Sequence, residues 1–214
     1  MPNKTDREYR SMMLAIEERA EGEEQGRMVV SGYASTFDEP YKLWEDESVE
    51  VWEKVDRSAF DETDMSDVIM QYDHAGRVFA RIRNNTLTVS PDEKGLFISA
   101  DLSGTDIGRS LYQEIAGGYT DRMSFGFTVD EDIREIVNDR TSGKSIVTRT
   151  ITKVGKLYDV SAVSLPANPG TSISARFLDG AIEEARAERL KAQELAEKRE
   201  QIMKRAEALG KVEA

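Results

Sequence analysis

Short runs in which apolar and polar positions alternate fill the first 180 residues, and a helical pattern replaces them afterwards. "RMVVSGYAST" (27–36) joins β-branched and aromatic residues to a glycine. "VEVWEKV" (49–55) puts Val49, Val51 and Glu53 on one face and Trp52 on the other. "DVIMQYD" (67–73) is a brief apolar run, and "TLTVSPDEKGLFISADL" (86–102) predicts a hairpin turning at its polar centre. "RMSFGFTVDE" (122–131) and "YDVSAVSL" (158–165) alternate as strands, and 135–154 predicts another hairpin around "NDRTSG". One helix interrupts them at 104–118, with Thr105 as N-cap, Ile107, Leu111 and Ile115 at four-residue steps, and Gly117–Gly118 as the stop. "RSAFDET" (57–63) suggests a short helical turn, and "SMMLAIEER" (11–19) fits a first strand or a short helix.

From Leu178 the sequence is rich in Ala, Glu, Lys, Arg and Leu, with no proline or glycine between Gly180 and Gly210. Leu195, Ile202 and Leu209 fall seven apart, with Ala192 and Ala206 three residues before two of them. This thin seam fits a solvated single helix or a self-association helix. The expectation is an α+β, β-rich fold in three parts: an N-terminal segment (1–25), a β domain (26–178) and a charged C-terminal helix (179–214).

Charge sharpens that boundary. The net charge is −12, yet residues 181–214 are balanced, eight acids against eight bases, so the whole excess lies in the first 180 residues. An acidic chain is a poor general binder of nucleic-acid backbone. No apolar run approaches the roughly 18 residues that span a bilayer, and "MPNKTDREYR" leads into no signal-peptide core. A soluble, cytoplasmic protein is expected, with neither nucleic acid nor membrane as a partner.

The 214 residues include no cysteine and one histidine, His74. Disulfides, thiolate zinc sites and a cysteine nucleophile are excluded, and no loop alternates acids about a central glycine as calcium requires. No cofactor is expected. In "DRMSFGF" (121–127), Ser124 stands between Met123 and Phe125. It is either a small residue where a large one would not fit or a nucleophile on a rigid strand. A serine hydroxyl reacts only when a base takes its proton and donors hold the oxyanion. His74 is the one near-neutral base, although a lone histidine more often has an ordinary surface or core role. The 41 acids offer far too many third partners to choose from by spacing.

The order of the motifs adds a resemblance. Over about residues 28–176 the chain resembles the prohead (procapsid maturation) serine proteases of tailed bacteriophages. "VSGYASTFDEPY" is similar to that family's opening block, "VEVWEKVDRSAFDET" to a segment ending in a Gly-Ala-Phe-like turn, and "VIMQYDHAGRVFARI" to its histidine block. "DEKGLFISADLSGTDIGRSLYQEIAGGYTDRMSFGF" resembles the run that ends at the nucleophile, and "LYDVSAVSLPANPGTSI" the closing block. The sequence departs from the pattern at Ser58-Ala59-Phe60, at Ala80 where glycine is common, and at Asp159 where glutamate is usual.

The resemblance implies a compact β-barrel with peripheral helices, similar to the herpesvirus protease assemblin. It implies a serine endopeptidase with Ser124 as nucleophile, His74 as base and Asp159 as third member, Asp73 and Asp121 being alternatives. Arg81 or Arg122 would assist at the oxyanion, Gly126 would leave room for a substrate backbone, and "PANPG" (166–170) would shape a turn. The implied partners are the scaffold protein, the scaffold-like part of the major capsid protein, and the chain itself, through self-cleavage and as a homodimer. The place is the immature capsid in the host cytoplasm, and the C-terminal helix would be a scaffold-binding, removable tail. A non-catalytic, β-rich capsid assembly module is the competing class; a carboxylate-dependent metal hydrolase is a third.

Overall fold

The computed structural model describes residues 7–12, 17–18, 27–139, 141–164 and 175–210. Its centre is one antiparallel hairpin of β10 (Arg122–Asn138) and β11 (Ser145–Val163). Four separate strands were expected here. Alternation continues through the intervening residues, and register shifts between Gly126 and Asp132 bend the pair without ending it.

The first sheet runs β1 (Glu8–Met12), β10, β11, β5 (Val49–Val55), β4 (Tyr41–Glu45). The N-terminal half of β11 pairs in parallel with β5 and its C-terminal half with β6 (Ile69–Tyr72), which carries β7 (Ala75–Arg81) antiparallel beside it. The second sheet runs β2 (Glu17–Glu18), β3 (Val29–Thr36), β9 (Gly95–Asp101), β8 (Leu87–Pro91). β4 and β7 had no counterpart in the sequence reading.

The two sheets share one core. Val30, Leu96, Ile98 and Ala100 of the second meet Met123, Phe125, Phe127 and Val160 of the first. The expected closed barrel does not form: among the described residues no strand of one sheet pairs with a strand of the other. Large side chains fill the space between them, including Phe125 and Phe127 with ring centroids 4.5 Å apart, so the sheets pack as layers. The α+β class stands.

α1 (Asp106–Ala116) begins where the Thr105 hydroxyl accepts from the Gly108 N–H at 3.0 Å, and it buries Leu111 and Ile115. The segment 57–63 forms successive turns, with Ala59 N–H donating to Asp56 O at 3.0 Å and Ala59 and Phe60 entering the core. Among its described side chains, α2 (Ala175–Gly210) packs on the body through Leu178, Ala181, Ile182 and Ala185. Ala181 and Ala185 join Leu43, Val49, Val51 and Val147 in a second core, and Arg186 reaches Asp46 at 2.7 Å. Leu190, Leu195, Ile202 and Met203 further along are each more than half exposed.

Buried charge fastens β1 to this frame. Arg10 Nε donates to Glu53 Oε1 at 2.5 Å, and Arg10 also donates to Glu8. Arg149 of β11 donates to Glu8, Glu53 and Asp132, at 2.8, 2.9 and 2.5 Å. Burial alone would raise the Glu53 carboxyl; the two guanidiniums and the Tyr41 hydroxyl outweigh it and leave the group at about 2, against an ordinary 4.5. A depressed folded-state value stabilises the protein fully above pH 4.5, and that contribution is lost as pH falls toward 2. Glu53→Gln removes the buried carboxylate charge that Arg10 and Arg149 share. It is expected to cost about 3–5 kcal/mol at pH 7 and to flatten the acid limb of the stability curve, measured by urea denaturation at pH 7 and pH 3.

Candidate active site

Strand alternation answers why a hydroxyl lies among large apolar residues. Met123, Phe125 and Phe127 point into the shared core, and Ser124 and Gly126 point to the other face. Across the ladder Ser124 lies opposite Ser161, and Gly126 opposite Asp159. Four small or acidic residues thus share one patch of two neighbouring strands.

The histidine arrives from the other side of β11. Parallel pairing of β6 with β11 sets Tyr72 beside Ala162, and Asp73 N–H donates to Ala162 O at 2.9 Å. The chain then reverses through a two-residue loop, Asp73–His74, between the paired Tyr72 and Ala75. Both loop residues have positive φ, 49° and 56°, as a type I′ hairpin turn requires. Asn-Gly is the usual occupant; a histidine there costs on the order of 1–2 kcal/mol. The Asp73 carboxylate helps hold the turn by accepting from Ser164 N–H and Oγ–H, each at 2.9 Å.

This turn brings the imidazole between the other two groups. His74 Nδ1 lies 2.5 Å from Asp159 Oδ1, and Nε2 lies 2.6 Å from Ser124 Oγ. Ser161 Oγ–H donates to the same Asp159 oxygen at 2.8 Å. Ser124 and Asp159 are buried, and the His74 side chain keeps 15% of its surface exposed. With Nδ1 protonated toward Asp159, Nε2 presents a lone pair to Ser124. The serine proton has a second acceptor, the Arg10 carbonyl of β1 at 2.8 Å.

The three residues singled out in the sequence therefore meet, and Asp159 reaches the ring despite its shorter side chain. Asp73 caps the turn instead of touching the ring, and Asp121 pairs with Arg122 at 3.5 Å. Arg81 is held by Asp67, Nε to Oδ1 at 2.7 Å. Residues 166–170 lie outside the described residues. Gly126 has a different use from the one expected. A Cβ there would fall 2.5 Å from Asp159 Oδ2 and 2.8 Å from Tyr9 Cε1, so the space it leaves is filled by the site's own groups. Tyr9 and Ser161 were missed by sequence reasoning. Ser161 was visible as a hydroxyl two residues past Asp159 on one strand face; Tyr9 carried no signal beyond the alternation of "EYR".

The family model of the caudovirus prohead serine proteases matches residues 14–185. The chain belongs to that family. No curated protein and no solved structure matches it. A prohead protease belongs to the phage procapsid during assembly and associates with capsid proteins. The matched span holds His74, Ser124 and Asp159; it begins after β1 and ends within α2.

Gly126→Ala tests the packing at the centre of this candidate site. The added methyl forces the Asp159 carboxylate or Tyr9 aside, with an expected destabilisation of about 1–3 kcal/mol. Loss of the downfield His74 Nδ1 proton resonance reports the broken contact. An unchanged resonance and melting temperature would contradict it.

Proposed function

We propose that this chain is the serine endopeptidase of capsid maturation, with Ser124 as nucleophile, His74 as general base and then acid, and Asp159 as the group that orients and charges the imidazole. The observation that carries the reading is the continuous run from Ser161 through Asp159 and His74 to Ser124, with each contact between 2.5 and 2.8 Å. The Ser124 O–H turns from the Arg10 carbonyl to His74 Nε2, and the freed oxygen attacks the scissile carbonyl. His74 then gives the proton to the leaving amine, and water attacks the acyl-enzyme by the same route.

Ser124 has no exposed surface, so an incoming peptide must displace its cover. A resting enzyme of low accessibility suits a protease that acts only after confinement, where the concentration of targets is high. Those targets are the scaffold protein, the scaffold-like part of the major capsid protein and the chain itself. The protruding part of α2, with exposed Leu190, Leu195 and Ile202, supports docking to scaffold helices.

Intact mass after concentrated overexpression is the first test. Wild type is expected to arrive shortened, and Ser124→Ala and His74→Ala whole; identical full-length masses would count against self-cleavage. Asp159→Asn is expected to lower kcat by about 10⁴ through the wrong imidazole tautomer. Deleting 191–214 leaves Ala181, Ala185 and Arg186 in place and should spare cleavage while abolishing encapsidation, read by protease content of purified procapsids. Unchanged packaging would refute the docking role.

A further inference from the structure

We propose that Tyr9 is a positioning residue for His74, which makes β1 part of the catalytic site rather than an edge strand beside it. The proposal rests on the reading of Ser124, His74 and Asp159 given above, and it concerns a strand that the family match does not cover. Tyr9 lies opposite Gly126 in the β1–β10 ladder, and Gly126 lies opposite Asp159 in the β10–β11 ladder. Three neighbouring strands thus contribute Tyr9, a bare backbone and Asp159 along one line. The missing side chain lets the ring and the carboxylate converge over β10, where a Cβ would meet both.

The Tyr9 ring packs on the imidazole, with centroids 4.4 Å apart and planes at 56°. His74 needs that wall. Its hydrogen bonds leave from Nδ1 and Nε2, on opposite sides of the ring. Those bonds hold the ring only while both partners stay in place, and an incoming peptide must displace the cover of Ser124. The fastened turn fixes the His74 backbone but not the side-chain torsions that set the direction of the ring. A ring packed against the imidazole limits rotation about those torsions and keeps the Nε2 lone pair aimed at Ser124.

The strand that brings Tyr9 is itself fixed. Arg10 is clasped by Glu53 and Glu8 in the buried network, and the Arg10 carbonyl accepts from Ser124. Arg7 stacks over Tyr158 at 3.7 Å and stands 3.7 Å from Asp159 Oδ2, an oxygen with no hydrogen bond among the described residues. Arg7 Nη1 also donates to the Tyr9 hydroxyl on the exposed side at 3.4 Å. The ring, and not the hydroxyl, is therefore the part turned to His74.

The test uses the full chain as wild type, Tyr9→Ala, Tyr9→Leu and Tyr9→Phe. Tyr9→Leu keeps an apolar side chain under β1, so a folding defect in Tyr9→Ala does not decide the matter. Hydrolysis is followed on a fluorogenic peptide spanning the cleavage point mapped on the wild-type chain. Tyr9→Leu is expected to lose about 10–100-fold in kcat with KM within about twofold, and to broaden or lose the downfield His74 Nδ1 proton resonance. His74 is the single histidine, so that resonance has one source. Tyr9→Phe is expected to keep both kcat and resonance. Wild-type kcat and an unaltered resonance in Tyr9→Leu, or a Tyr9→Phe as impaired as Tyr9→Leu, would overturn the proposal. The resonance needs no turnover: a chain that cleaves nothing yet loses the signal in Tyr9→Leu would refute the protease reading and leave the coupling of Tyr9 to His74 standing.

Discussion

The register between β10 and β11 is the constraint on which the site depends. It sets Ser124 opposite Ser161 and Gly126 opposite Asp159 on one face, while Phe125 and its neighbours fill the core on the other. A slip of one residue would send the hydroxyl into the core and a phenylalanine into the site. The core therefore enforces the geometry of the candidate site. Phe125 and Phe127 have nowhere else to go, and Ser124 and Gly126, which alternate with them, must face the other side with equal rigidity.

Two local costs are held in place around that register. His74 occupies a left-handed turn position that a glycine would take without strain, and β1 carries charged side chains into the interior. Each is offset by contacts that also serve the site. Asp73 and Ser164 fasten the turn; Asp159 and Ser124 bind the ring that it projects. Glu53 and Arg149 accommodate Glu8 and Arg10 and thereby hold a strand whose backbone accepts a hydrogen bond from Ser124. Buried ion pairs of this kind are weak sources of net stability. Here they fix the position of an edge strand.

Much of this was legible in the sequence. β-Branched and aromatic residues located β3, alternation located β5 and the start of β10, the polar turn located the β8–β9 hairpin, and the Thr105 cap with Gly117 bounded α1. The absence of cysteine and the single histidine narrowed the chemistry, and motif order singled out Ser124, His74 and Asp159. What stayed hidden depends on contacts between distant residues. The pairing of one strand, β11, with both β5 and β6 leaves no periodic trace, and neither does the packing of two sheets as layers. Tyr9 lies more than a hundred residues from its ladder partner Gly126, and Gly126 itself reads as an ordinary small residue until Asp159 and Tyr9 are seen to converge on it.

The most direct test of the central claim is labelling by a small fluorophosphonate, with the adduct located by peptide mass spectrometry. If the His74–Asp159 pair activates Ser124, the wild-type chain takes one phosphonyl group, at Ser124, and His74→Ala takes it at least about 100-fold more slowly. A wild-type chain left unlabelled, an adduct at another residue, or equal labelling of wild type and His74→Ala would contradict it.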